Sequence, residues 1–274
     1  MHNVALTWQQ AAVLSAALGL AALAVSHARE ARIHRLFPIA REAATISALY
    51  GLWQLAGSLS VLGTSGAFAR AESVLDLEQW IHLPSEASVQ RLVEHSSILV
   101  QACNLYYATM HFGGLFLFLL WLFLRHREHY RRTRLTLVLV TLTCLLVQLV
   151  PVAPPRLLAG FTDTATQFGQ SVYGLGLAAD QLSAMPSVHV AWAVLIGWTV
   201  LRVSQSPWRW VGPAHAVVTV FVVTATANHF WLDGIVAVIL LAMCGWLQRA
   251  TRASYQRHRN AQIGAPRRLT AFTR

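Results

Sequence analysis

Long apolar stretches alternate with short arginine-rich segments along this chain. The apolar stretches cover residues 6–25, 43–62, 105–124, 135–152, 186–202, 210–227 and 229–247. Several approach or exceed about eighteen nearly uncharged residues, the length that spans a bilayer core. Between the second and third stretches the pattern changes. Residues Ala67 to Ile81 set acids among Leu and Trp residues, which predicts an amphipathic helix lying in the membrane interface. Residues Ser85 to Gln101 predict a further helix leading into the third span. The pattern therefore implies an all-α fold: a polytopic membrane helical bundle of six to seven transmembrane helices with one interfacial amphipathic helix. Residues 1–248 read as one membrane domain, followed by a basic, polar and disordered tail at 249–274.

Composition supports that reading. Only 12% of the residues are charged, against about 25% in a typical soluble domain. The net charge of +10 is compatible with nucleic-acid binding until the positions are examined. All 21 basic residues are Arg, and they gather in alternate loops. Arg29, Arg32, Arg35 and Arg41 follow the first span; Arg125 to Arg134 follow the third; Arg202 and Arg209 follow the fifth; seven more lie in the tail. The other loops hold Arg70, Arg91 and Arg156. That bias is a topology signal. It places the N-terminus outside and the C-terminus in the cytoplasm of a plasma membrane, with bacterial origin weakly favoured, and no nucleic-acid partner is implied. Ala22-Leu23-Ala24 resembles a signal-peptide cleavage site. Met1-His2-Asn3 lacks a firm positive charge, however, so a retained span is the preferred reading. Cys103, Cys144 and Cys244 lie in apolar segments without ligand spacing and read as small packing residues.

Against this background a few polar residues stand out. Ionisable groups inside a bilayer are costly and default to function. With the topology above, three segments converge on the outer face: Val150 to Arg156, Met185-Pro186-Ser187-Val188-His189, and Asn228-His229 with Asp233. His229 and Asp233 are four residues apart, one helical turn on one face. The acid can accept from one ring nitrogen and leave the other as nucleophile or base. Pro186 suits the first turn of a helix, whose free N–H groups near Ser187 and Val188 would attract an anion. Ser187 equally suits a plain helix start. Arg156 is the guanidinium on that face next to a span, and its planar fork fits phosphate oxygens. His189 has the titration range of a general acid.

These motifs resemble those of the type 2 phosphatidic acid phosphatase superfamily. That family combines a basic motif ending in Arg-Pro, a Pro-Ser-Gly-His motif, and a Ser-Arg followed by His-x-x-x-Asp. The resemblance spans residues 150–235. It implies that His229 is the nucleophile, Asp233 its orienter and His189 the acid, with Arg156 and Ser187 on the phosphate. It implies a lipid phosphoester substrate and an alcohol or water acceptor. No cofactor or metal is called for, since no His-Glu-x-x-His or acidic cluster is present. The departures are specific. Leu149 stands where the family usually has Lys, Leu157 follows the Arg, Val222-Val223 replace Ser-Arg, and Val188 replaces Gly.

A phosphate monoester carries about −1.5 to −2 charge at neutral pH, and a diester carries one. A single Arg is better matched to the diester. The reduced pattern, Ala-Pro-Pro-Arg with Met-Pro-Ser-Val-His, resembles the inositol phosphorylceramide synthase branch, which implies phosphodiester head-group transfer. Two other readings fit the same residues. One is a lipid phosphate or polyprenyl diphosphate phosphatase, which would release free phosphate. The other is a transporter using the histidines as a proton relay, which would carry polar residues through the bilayer. His111, Tyr107 and Asn228 are candidates for lining the substrate cleft. His215, near the cytoplasmic end of the sixth span, reads as structural. Loop 157–184 lacks a nucleotide-binding pattern and reads as a lid or acceptor side. Nothing in the residues sets an oligomeric state.

Overall fold

The computed structural model describes residues 7–27, 36–59, 65–172 and 181–264. The expected basic loop at 29–35, the end of the second span at 60–62, residues 173–180 of the long loop, and 265–274 lie outside the described residues.

Among the described residues the α-helices are α1 (Trp8–Ser26), α2 (Phe37–Leu59), α3 (Ala67–Trp80), α4 (Glu86–Glu94), α5 (Ser97–Arg125), α6 (Arg127–Gln148), α7 (Thr164–Gln167), α8 (Val188–Val203), α9 (Val211–Ala225) and α10 (Trp231–Gly264). The described residues contain no strand, only an isolated parallel bridge between Val152 and Ser183. The chain is all-helical, and a helix occupies each of the seven apolar stretches. Among the described residues three helices are long and apolar enough to cross a membrane: α1, α5 and the Trp231–Arg257 part of α10. They are compatible with an integral membrane protein. α6 opens with the polar run Arg127 to Arg134, and α8 and α9 have only 16 and 15 residues. Length and composition alone do not assign these as crossings.

Local signals set the boundaries. α1 begins with a capping box, in which Thr7 and Gln10 satisfy each other's backbone N–H groups. The helix expected over 85–101 is instead two. It breaks at His95–Ser96, where the Ser96 hydroxyl accepts from Leu99 N and starts α5. α10 starts at Trp231, so His229 lies in the turn before it rather than within the seventh helix. α10 also runs through Gly264. The tail expected to be disordered is therefore helical over 249–264, continuing the register of an already nucleated helix.

The core is built from α5, α6, α8 and α10. Phe118 and Leu122, Leu137 and Val140, Trp192 and Leu195, and Ala237 with Cys244 share one apolar cluster. Trp192 donates its indole N–H to Thr141 at 2.8 Å, tying α8 to α6. α8 and α9 approach backbone to backbone. A Cβ on Gly212 would stand 2.9 Å from the Val200 Cβ, and one on Gly197 3.1 Å from the Gly212 carbonyl. Small residues permit this close approach. All three cysteines are buried and free.

Candidate active site

Three segments distant in sequence build the site. Val152 N donates to Leu182 O at 2.7 Å, and Ala184 N donates back to Val152 O at 3.1 Å. Gln148 Nε2 donates to the carbonyls of Ser183 and Pro186. This pins the segment before α8 against the end of α6. After α9 the chain reverses through Ala227, a non-glycine residue with φ of 51°. Asn228 N and His229 N both donate to Val223 O. Phe230 N then donates to Asp233 Oδ2 at 2.9 Å, so Asp233 closes the first turn of α10 as the N3 acid of a capping box does.

That turn fixes one imidazole. His229 Nδ1 lies 2.8 Å from the Ala184 carbonyl oxygen and 3.2 Å from Asp233 Oδ2. Both neighbours are acceptors, so the hydrogen-bond network assigns the proton to Nδ1. The other nitrogen, Nε2, is left with its lone pair and faces His189 Nδ1 at 3.3 Å. His229 is 4% exposed and Asp233 fully buried. The four-residue spacing expected from the sequence does bring acid and imidazole together, but through a cap instead of a continuous helix.

His189 is held differently. Its ring stacks on Tyr107, with centroids 4.5 Å apart, and lies 3.7 Å from that of His111. His111 in turn lies parallel to Trp192 at 4.4 Å. Tyr107 and His111 therefore line the cleft at His189, together with His215 and Thr219. The space between these side chains is about 10 Å³, room for roughly one water, so the cleft is narrow. His215 is part of this wall and shares its Nδ1 with the Tyr106 hydroxyl at 2.7 Å. The sequence-based reading missed it because a histidine early in an apolar helix carries no local sign of its neighbours.

Ser187 is the N-cap of α8, and its hydroxyl accepts from Val190 N at 3.3 Å. Its own N–H donates to the Asp233 carbonyl. The Ser187 N–H, expected to be open to an anion, thus already has an acceptor, and the Ser187 O–H remains as a donor. Pro186 lies just before the cap, outside the first turn. Arg156 is buried, donates its backbone N–H to Ala227 O, and donates Nη1 to Asn228 Oδ1 at 2.9 Å. Asn228, expected at the cleft, is thereby a holder of Arg156. Asp163 Oδ2 stands 3.6 Å from Arg156 Nε. The described part of the long loop is fastened over this corner. Gln90 exchanges two hydrogen bonds with Thr162, and Asn104 bonds Thr164 and Gln170.

Two further acids surround the turn. Glu78 of α3 accepts from Leu232 N at 2.6 Å, and Glu86 of α4 accepts from Trp231 N at 3.2 Å. With Asp233 on Phe230 N, three carboxyl groups take three successive N–H groups at the start of α10, where the helix dipole favours them. Burial, then a hydrogen bond to Glu86, pushes the Glu78 carboxyl up to about 9. The protonated form of Glu78 is thereby favoured. Its position was legible only indirectly: Glu78 falls on the same helical face as Ala67 and Ala71, which are also buried.

The PAP2 superfamily profile matches residues 72–247, which include the whole site. The chain belongs to the PAP2 superfamily. Membership points to an enzyme, a phosphoesterase or phosphotransferase acting on lipid phosphates. No curated protein and no solved structure matches the chain.

Proposed function

We propose that the protein transfers the head group of a lipid phosphodiester through a phosphohistidine at His229, on the outer face of the membrane. The observation that carries this reading is the pair of acceptors at His229 Nδ1. They hold the proton there and leave Nε2 as a nucleophile aimed at His189. His229 Nε2 attacks phosphorus, the N–P bond forms and the bond to the leaving oxygen breaks. His189 gives that oxygen a proton and then, as base, takes one from the acceptor alcohol, whose oxygen bonds phosphorus as the N–P bond breaks and His229 Nε2 recovers its lone pair. The two nitrogens face each other, so a phosphorus between them is attacked in line. The 3.3 Å contact leaves no room for a phosphate, so substrate entry parts the rings.

Arg156 and the Ser187 hydroxyl hold the remaining phosphate oxygens. The nearby Asp163 carboxylate offsets part of the guanidinium charge, which supports a monoanionic diester over a monoester. Phosphorus NMR of a lipid extract incubated with wild type or His229→Ala tests the reading. A new diester resonance with wild type alone is the expected result. Inorganic phosphate instead makes the protein a phosphatase, and full activity in the variant overturns the phosphohistidine.

A further inference from the structure

A second polar cavity lies near the start of α6, while the His229 site is braced by Gln148 at that helix's end. Arg134, the lining residue furthest along α6, precedes Gln148 by 14 residues, about 21 Å of helix. It has a volume of about 550 Å³, within the range of ligand pockets. α2, α5 and α6 form its walls, and its lining includes four guanidiniums, Arg41, Arg127, Arg131 and Arg134, against one carboxylate, Glu42. Glu42 organises one side. It pairs with Arg134, accepts from the Tyr130 hydroxyl at 3.2 Å, and stands 3.7 Å from Arg41. Among the described residues, no carboxylate lies within salt-bridge reach of Arg127 or Arg131. Arg127 instead lies over the Phe123 ring at 4.8 Å. A net of three positive charges around one cavity does not serve helix packing, since like charges repel.

From this arrangement we propose that the cavity binds the head group of an anionic phospholipid, at a site separate from the His229 centre. Basic cavities between membrane helices suit lipid phosphates, and guanidiniums match phosphate oxygens in pairs. The surroundings favour a lipid over a free anion. Leu124 and Ile39 are exposed and adjoin the lining residues Phe123 and Pro38 in sequence, and Leu120 is exposed one turn before Phe123; they offer apolar surface for acyl chains. The lipid bridges α2 to α6.

Thermal unfolding of the purified full chain tests this in the His229→Ala background, where lipid is not consumed. Phosphatidylglycerol, phosphatidylcholine and inorganic phosphate are titrated in turn. Phosphatidylglycerol alone is expected to raise the Tm, and Arg127→Gln/Arg131→Gln weakens its apparent affinity by about tenfold or more. Arg202→Gln/Arg209→Gln, with the same charge loss elsewhere, keeps it. Glu42→Gln tightens it. Equal shifts with phosphatidylcholine, a full shift with inorganic phosphate, equal loss in both double variants, or weaker binding by Glu42→Gln would each overturn the proposal.

Discussion

The two imidazoles that meet at 3.3 Å are held by different forces. His229 is fixed by directional hydrogen bonds to Ala184 and Asp233 inside a capped turn. His189 sits at the start of α8 between flat neighbours, Tyr107 and His111. Hydrogen bonds set a tautomer and an aim. Ring stacking fills space but tolerates sliding and tilting. The contrast matches the proposed roles. A nucleophile needs one nitrogen free and pointed, while an acid that separates to admit a phosphate needs freedom to move.

The largest expected break of this contrast is Asp233→Asn. Losing the carboxylate leaves Nδ1 on the Ala184 carbonyl alone and removes the negative charge beside the imidazole, and kcat should fall about 10³–10⁴-fold, by analogy with the carboxylate of a catalytic triad. A steady-state assay checks it, and a change below tenfold would remove Asp233 from that role. His189→Ala should cost about 10²–10³-fold with a natural lipid. The loss should largely vanish with a nitrophenyl diester, whose leaving group needs no proton. Equal losses on both substrates would reassign His189 to structure.

Gly212→Ala tests the spacing of the two rings, since α8 carries one and α9 leads to the other. The added methyl meets Val200 at 2.9 Å, and overpacking of this kind costs about 1–3 kcal/mol. A lower Tm with reduced kcat is expected, and an unchanged Tm would show that the helices part freely.

The smallest effect belongs to the collar around His229. Glu78 holds its proton up to about 9, whereas the unfolded chain loses it near 4.5. Its contribution to stability is full below the ordinary carboxylate range, declines as pH rises, and is lost above about 9. Glu78→Gln keeps the protonated shape and should flatten the decline in Tm. A slope unchanged by the substitution would move the titration to another group.

Much of this was legible from residue order. Four-residue spacing joined His229 to Asp233, and aromatic and polar residues of the third span marked Tyr107 and His111 as neighbours of the site. The positions that misled are those whose partners lie far along the chain. Asn228 was placed at the cleft but holds Arg156, and Ser187 serves as a cap whose N–H is already taken. Glu78 and Glu86 were not singled out, since nothing near them in sequence shows that the N–H groups of α10 await them. The disordered tail was inferred from polarity, yet a helix already nucleated by an apolar span extends through Gly264 at little further cost.

The sequence by itself determined the helical class, the long apolar helices compatible with a membrane, and the motif residues that the fold gathers near His229, because periodicity, hydropathy and residue spacing are properties of neighbours along the chain. The tertiary structure alone decided which nitrogen of His229 carries the proton, which acids collar the turn, and that four arginines surround one cavity. Each of these depends on groups dozens of residues apart, and only folding sets the distances on which hydrogen bonds and Coulomb forces act.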